Sequence, residues 1–97
     1  MHVGWLEGHT SQAPPVLRAR VLEYVAAASG PSLPEALAAA AQTALARVLS
    51  HSGDRSVALD LLAADALITL ALLAQAESAP EQLEQFAVSV LQARQPS

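Results

Sequence analysis

Two aspartates and a loop histidine offer most of the reactive chemistry in this 97-residue chain. Asp60 and Asp65 interrupt an otherwise apolar run, VALDLLAADALITLALLAQA, from Val57 to Ala76. One of them could serve as a buried acid raised in pKa. As a carboxylate pair they fail, because residues five apart on a helix project about 140° away from each other. The spacing instead assigns each to a polar seam between apolar stripes, with Asp60 also near a helix N-terminus that favours negative charge. His51 stands between Ser50 and Ser52, close to Asp54, which are the residue types of a nucleophilic triad. Sequence neighbours in a helix-ending loop do not adopt triad geometry, and nothing nearby offers an oxyanion hole. A histidine there is expected to meet the last helical carbonyls. His2 and His9 would join it as metal ligands only if the N-terminus folds back over that end.

What is missing excludes more. The chain has no cysteine, and its five basic residues are all arginine (Arg18, Arg20, Arg47, Arg55 and Arg94). Without lysine there is no Schiff base or phosphate-loop lysine. Four scattered glycines make no phosphate-cradling loop. Glu-x-x-His and His-Glu-x-x-His spacings are absent, so neither a di-iron bundle nor a zincin site is expected. A net charge of -4 with unclustered arginines argues against a nucleic-acid partner. No catalytic residue, metal or cofactor is expected within the chain. A third constellation is structural in kind: Trp5 and Leu6 between Gly4 and Gly8 form a short apolar hook, expected to cover its own bundle or a second copy.

The elements that carry these residues are helical. Alanine and leucine dominate a 53% apolar composition with only Trp5, Tyr24 and Phe86 as aromatics, which indicates an all-α class. Residues 1–13 read as an irregular arm, 14–94 as a single four-helix domain and 95–97 as a frayed tail. The first helix spans about 15–29, opened by Pro14-Pro15 and stopped by Gly30-Pro31, with Leu17, Val21, Tyr24, Val25 and Ala28 inward. The second, 33–50, follows a capping box at Ser32-Leu33-Pro34-Glu35 and turns Leu33, Leu37, Ala41, Ala44, Leu45 and Val48 inward. Asp54 is the expected N-cap of the third helix, 55–77. The fourth, 79–94, opens on a second Ser-x-Pro-Glu at Ser78 and turns Leu83, Phe86, Ala87, Val90 and Leu91 inward. Short connections favour an antiparallel up-down bundle. Alanine-rich faces at Ala38–Ala41 and at Ala63, Ala64 and Ala66 allow close helix approach.

The third helix carries one stripe of Val57, Leu61, Ile68 and Leu72 and a second of Leu59, Leu62, Leu70 and Leu73, about 150° apart. A helix apolar on two sides is covered on both. One stripe is therefore expected inside the protomer and the other against a twin or another protein. The interface candidates are Trp5, Leu6, Leu59, Leu61, Leu62, Ile68, Leu70, Leu72 and Leu73. The run does not read as a membrane span, since each aspartate near a bilayer centre costs about 2.5–3.5 kcal/mol. No basic stretch followed by an apolar one marks a signal peptide, and a cytoplasmic location is expected.

Over nine residues, Pro14-Pro15-Val16-Leu17-Arg18-Ala19-Arg20-Val21-Leu22 resembles a linker helix of some bacterial anti-sigma factors. The histidine and cysteines of their zinc motif are absent, so the resemblance assigns no role to any residue. The expectation is a non-enzymatic, homodimerising helical protein. The alternatives are a bundle binding a small apolar ligand near Tyr24, Phe86 and Asp65, or an accessory subunit of a larger complex.

Overall fold

A computed structural model of the chain describes residues 3–50 and 55–93. Among these residues the fold is all-α, without strands. Five α-helices follow one another: α1 (Val3–Thr10), α2 (Pro15–Ala27), α3 (Leu33–Ser50), α4 (Arg55–Ser78) and α5 (Leu83–Ala93). A 3-10 turn, Pro80–Gln82, leads into α5. The expected roles of His2, His51, Asp54 and the tail 95–97 lie outside the described residues.

The core is built where small residues let helices approach. The most extensive packing is between α3 and α4, and α4 also meets α2 and α5. On α3 the buried side chains are Pro34, Leu37, Ala40, Ala41 and Ala44, close to the expected stripe. Leu37, Ala40, Ala41 and Ala44 share one hydrophobic cluster with Ala63, Ala64, Leu67, Ala71 and Ala74 of α4. Alanines on both helices permit a close approach, and Leu37 and Leu67 are wholly buried among them. From α2, Val21 and Tyr24 close the cluster, with Leu17, Leu22, Val25 and Ala28 packed against it.

The caps divide. Ser32 caps α3 with half of the expected box: the Glu35 backbone N–H lies 3.5 Å from Ser32 Oγ, while the Glu35 carboxylate accepts from the Ser32 hydroxyl at 2.9 Å in place of the Ser32 backbone N–H. The second Ser-x-Pro-Glu does not repeat the device. Ser78 ends α4, its hydroxyl donating back to the Ala74 carbonyl at 2.9 Å, and Pro80 opens the 3-10 turn instead. Leu91, expected inward on the last helix, is 57% exposed, whereas Val90 is buried.

The N-terminal arm is the main correction. Residues expected to be irregular form α1 despite two internal glycines, each of which costs about 1 kcal/mol relative to alanine. Tertiary anchoring outweighs that cost. Leu6 is buried in the core and Trp5 packs against it. The helical (i, i+4) spacing stacks His9 on Trp5 with centroids 4.0 Å apart and brings the Thr10 hydroxyl to the Leu6 carbonyl at 2.7 Å. Trp5 Nε1 then donates to Glu77 Oε1 at 2.9 Å, tying α1 to the end of α4.

Candidate interaction surface

The two leucine stripes of α4 leave two gaps around the helix, and the structure uses them oppositely. The wider gap holds Asp60, Ala63, Ala64, Leu67, Ala71 and Ala74, all buried. The narrower holds Ala58, Asp65, Thr69 and Ala76, of which Ala58, Asp65 and Thr69 are exposed. Neither stripe is inside as a whole, contrary to the expected division of one in and one out. The stripes form the shoulders of the alanine face. Leu70 is buried, Leu59, Ile68 and Leu72 are half-buried, and Leu61, Leu62 and Leu73 are exposed. The physical reason is the close approach of α3, which admits alanines at the contact and pushes the larger leucines to its edges.

The overall dimensions, 40 × 36 × 19 Å, explain why the far side of α4 stays open. A thickness of 19 Å holds two layers of helices. With α3 over one side of α4, the opposite side is an outer surface. Leu61 is 51% exposed there and Leu62 55%. Of the other interface candidates, Leu6 is buried in the protomer's own core and Trp5 is half-buried against it.

Sequence reasoning missed one cluster. Asp60 is not in a polar seam but 2% exposed in the core. Its Oδ1 accepts a hydrogen bond from Tyr24 at 2.7 Å and a second from the Arg20 guanidinium. Arg47 lies over the Tyr24 ring, 5.2 Å from its centroid. Burial, the largest single influence, would raise the Asp60 carboxyl, but the Tyr24 and Arg20 hydrogen bonds and the charges of Arg20 and Arg47 together hold it below its ordinary value. The Arg20 guanidinium is raised in turn, chiefly by its hydrogen bond to Asp60. Burial pushes the Tyr24 hydroxyl up, reinforced by the hydrogen bond to Asp60. The signal was present: Arg20 and Tyr24 are four apart, so α2 presents both on one face. With two donors on Oδ1 this arrangement favours the charged form of Asp60, which suits a buried tie between α2 and α4 and not a proton donor.

The residues proposed for an apolar ligand site are not brought together. Phe86 lines a groove of about 550 Å³ with Ala38, Ala39, Gln42, Gln75 and Gln85. Tyr24 faces a separate hollow beside Arg20 and Arg47, and Asp65 lines neither. Four glutamines beside Ala38, Ala39, Phe86 and Val90 give the first lining a mixed character. Among the described residues no three His, Asp or Glu side chains are grouped to hold a metal. By length and composition α4 could also cross a membrane, with a mean hydropathy of 2.1 over its most apolar 18 residues. No protein-family model matches the chain, and neither the curated proteins nor the solved structures contain a match to it.

Proposed function

We propose that this chain is a non-enzymatic helical assembly protein that homodimerises through the outer face of α4. The observation that carries the reading is the exposure of Leu61, Leu62 and Leu73 on the side of α4 turned away from the alanine core. Three large aliphatic side chains on one helix face, left in water, are an aggregation liability unless something covers them. In this reading α2 to α5 form an antiparallel up-down bundle with α1 as a clasp, and the protein works in the cytoplasm, binding neither nucleic acid nor cofactor and not spanning a membrane. The burial of Asp60 by Arg20 and Tyr24 supports a role for α4 as the centre of a water-soluble fold. The test is absolute mass by light scattering over about a hundredfold range of concentration, since a dimer's population follows mass action. A dimer that Leu61→Glu turns into a folded monomer upholds the reading; a parent that stays monomeric throughout refutes it.

A second reading, an accessory subunit of a larger complex, draws on the exposure of Leu49, Val88 and Leu91 away from α4. It predicts that Val88→Glu with Leu91→Glu leaves the dimer intact while abolishing recruitment to a heteromeric complex.

A further inference from the structure

The outer face of α4, exposed except at the half-buried Leu72 and Ala76, reads nearly the same in both directions about Leu67. Ala58 is as far before that residue as Ala76 is after it, Leu61 matches Leu73, Leu62 matches Leu72, and Asp65 matches Thr69. On the helix these residues occupy the narrower gap and its two shoulders, the side away from α3. The spacing 58, 62, 65, 69, 72, 76 alternates four and three, which is the seam that a pairing helix requires. Resting on the assembly role proposed above, we infer that a second copy of this chain docks antiparallel on α4, with its two-fold axis passing beside Leu67.

A two-fold interface must be self-complementary, and a palindromic face meets that condition. In the antiparallel register Leu61 and Leu62 of one copy meet Leu72 and Leu73 of the other, and the same knot recurs at the far end. Ala58 lies against the second copy's Ala76, letting the helix ends approach. At the centre, Asp65 of each copy faces Thr69 of the other. Thr69 donates its hydroxyl to its own Asp65 carbonyl at 3.1 Å. On docking it turns that proton to the second copy's Asp65 carboxylate, exchanging a neutral bond for a charge-assisted one. Charge also selects the direction. A parallel pairing in register would set Asp65 against Asp65, two like charges at the centre of an apolar seam. The antiparallel register replaces that repulsion with two donor–acceptor pairs.

Cysteine cross-linking reads the register directly, because the described chain has no cysteine of its own. Leu62→Cys and Leu72→Cys are prepared singly, oxidised alone and as an equal mixture, and compared with the parent's mass by light scattering. A disulfide needs Cα atoms about 4.4–6.8 Å apart. In the antiparallel register the two thiols of a Leu62→Cys dimer are separated by about 15 Å along the axis. Disulfide-linked dimer should therefore form in the mixture and in neither variant alone. Cross-linking of Leu62→Cys by itself would mean a parallel pair on this face, overturning the register but leaving the dimer reading standing. A dimeric parent with no cross-link in any sample would place its interface elsewhere and overturn the inference. A monomeric parent would overturn both, and if that monomer bound neutral lipid vesicles the face would be reassigned to a membrane surface. Thr69→Asp, at an exposed position, brings carboxylates face to face and should weaken dimerisation tenfold or more while helicity is unchanged. Combining it with Asp65→Thr restores the pair and should recover most of that loss; no recovery would count against the central contact.

Discussion

Replacing Asp60 with alanine should cost about 3 kcal/mol of stability, a large share of what a small domain possesses. The figure follows from the separate fates of its two donors. Tyr24 is 5% exposed, so its hydroxyl loses a charged acceptor and cannot turn to water; hydrogen bonds to charged groups contribute about 1.5–3 kcal/mol. The Arg20 side chain keeps 24% of its surface, so its guanidinium rehydrates in part. Its loss is nearer the roughly 1 kcal/mol of a partly exposed pair than the 3–5 of a fully buried one. For a domain of this size about 3 kcal/mol lowers the midpoint of thermal unfolding by roughly 12–24 °C. The assay is urea unfolding followed by far-UV circular dichroism on the parent, Asp60→Ala, Tyr24→Phe and the double variant. Tyr24→Phe should cost less than Asp60→Ala, and the two changes should be non-additive by about 1 kcal/mol or more. A loss below about 1 kcal/mol for Asp60→Ala, or strict additivity, would refute the buried tie between α2 and α4.

Acid should find the same cluster. Because the Asp60 carboxyl is held below its ordinary value in the folded chain, its contribution is complete above the unfolded pKa near 4 and is lost as pH falls through the folded value. Asp60→Asn should flatten the loss of stability below about pH 4, which unfolding curves at stepped pH will read. Leu70 and Leu61 sit on the same helix but should respond differently: Leu70→Glu, at a 7% exposed position, should unfold the chain, whereas Leu61→Glu, at 51%, should leave helicity intact and change only mass. A Cβ at Gly30 would lie 2.8 Å from the Ala36 backbone nitrogen, so Gly30→Ala should destabilise by about 1–3 kcal/mol in a thermal melt. Gly8→Ala in α1 meets nothing within 4 Å and should stabilise by up to about 1 kcal/mol.

The all-α class and the spans of α2 and α3 were legible because periodicity, proline and capping signals agree at Pro15 and Ser32. Asp65 was legible too, as an exposed residue between leucine shoulders. Asp60 was not, because its burial depends on a partner helix that lies 36 positions earlier in sequence at Tyr24. For α1 local propensity points the wrong way: Gly4 and Gly8 argue for an irregular arm, and only the burial of Leu6 against the other helices makes a helix favourable. The second Ser-x-Pro-Glu misled for a related reason. Its serine had a competing acceptor one turn back at Ala74 and joined the preceding helix.

The leucines were the ambiguous signal, and alanine explains why. Counting leucine as the mark of the core places the buried side of α4 on one stripe or the other. Packing instead rewards whatever brings α3 and α4 closest, and small side chains bury more backbone and gain more dispersion contact per unit of helix length. Ala63, Ala64, Ala71 and Ala74 therefore take the centre of the contact, and Leu67 fills it. Of the shoulder residues, Leu70 is buried, Leu59, Ile68 and Leu72 are half-buried, and Leu61, Leu62 and Leu73 keep a third to a half or so of their surface in solvent. A chain that needed only a soluble monomer could carry polar residues at Leu61 and Leu62, both more than half exposed, with little effect on the α3–α4 contact. That leucines stand at Leu61 and Leu62, each matched by a leucine equally far beyond Leu67 at Leu73 and Leu72, is a cost to solubility. On the assembly reading proposed above, a second copy of the same face offsets that cost.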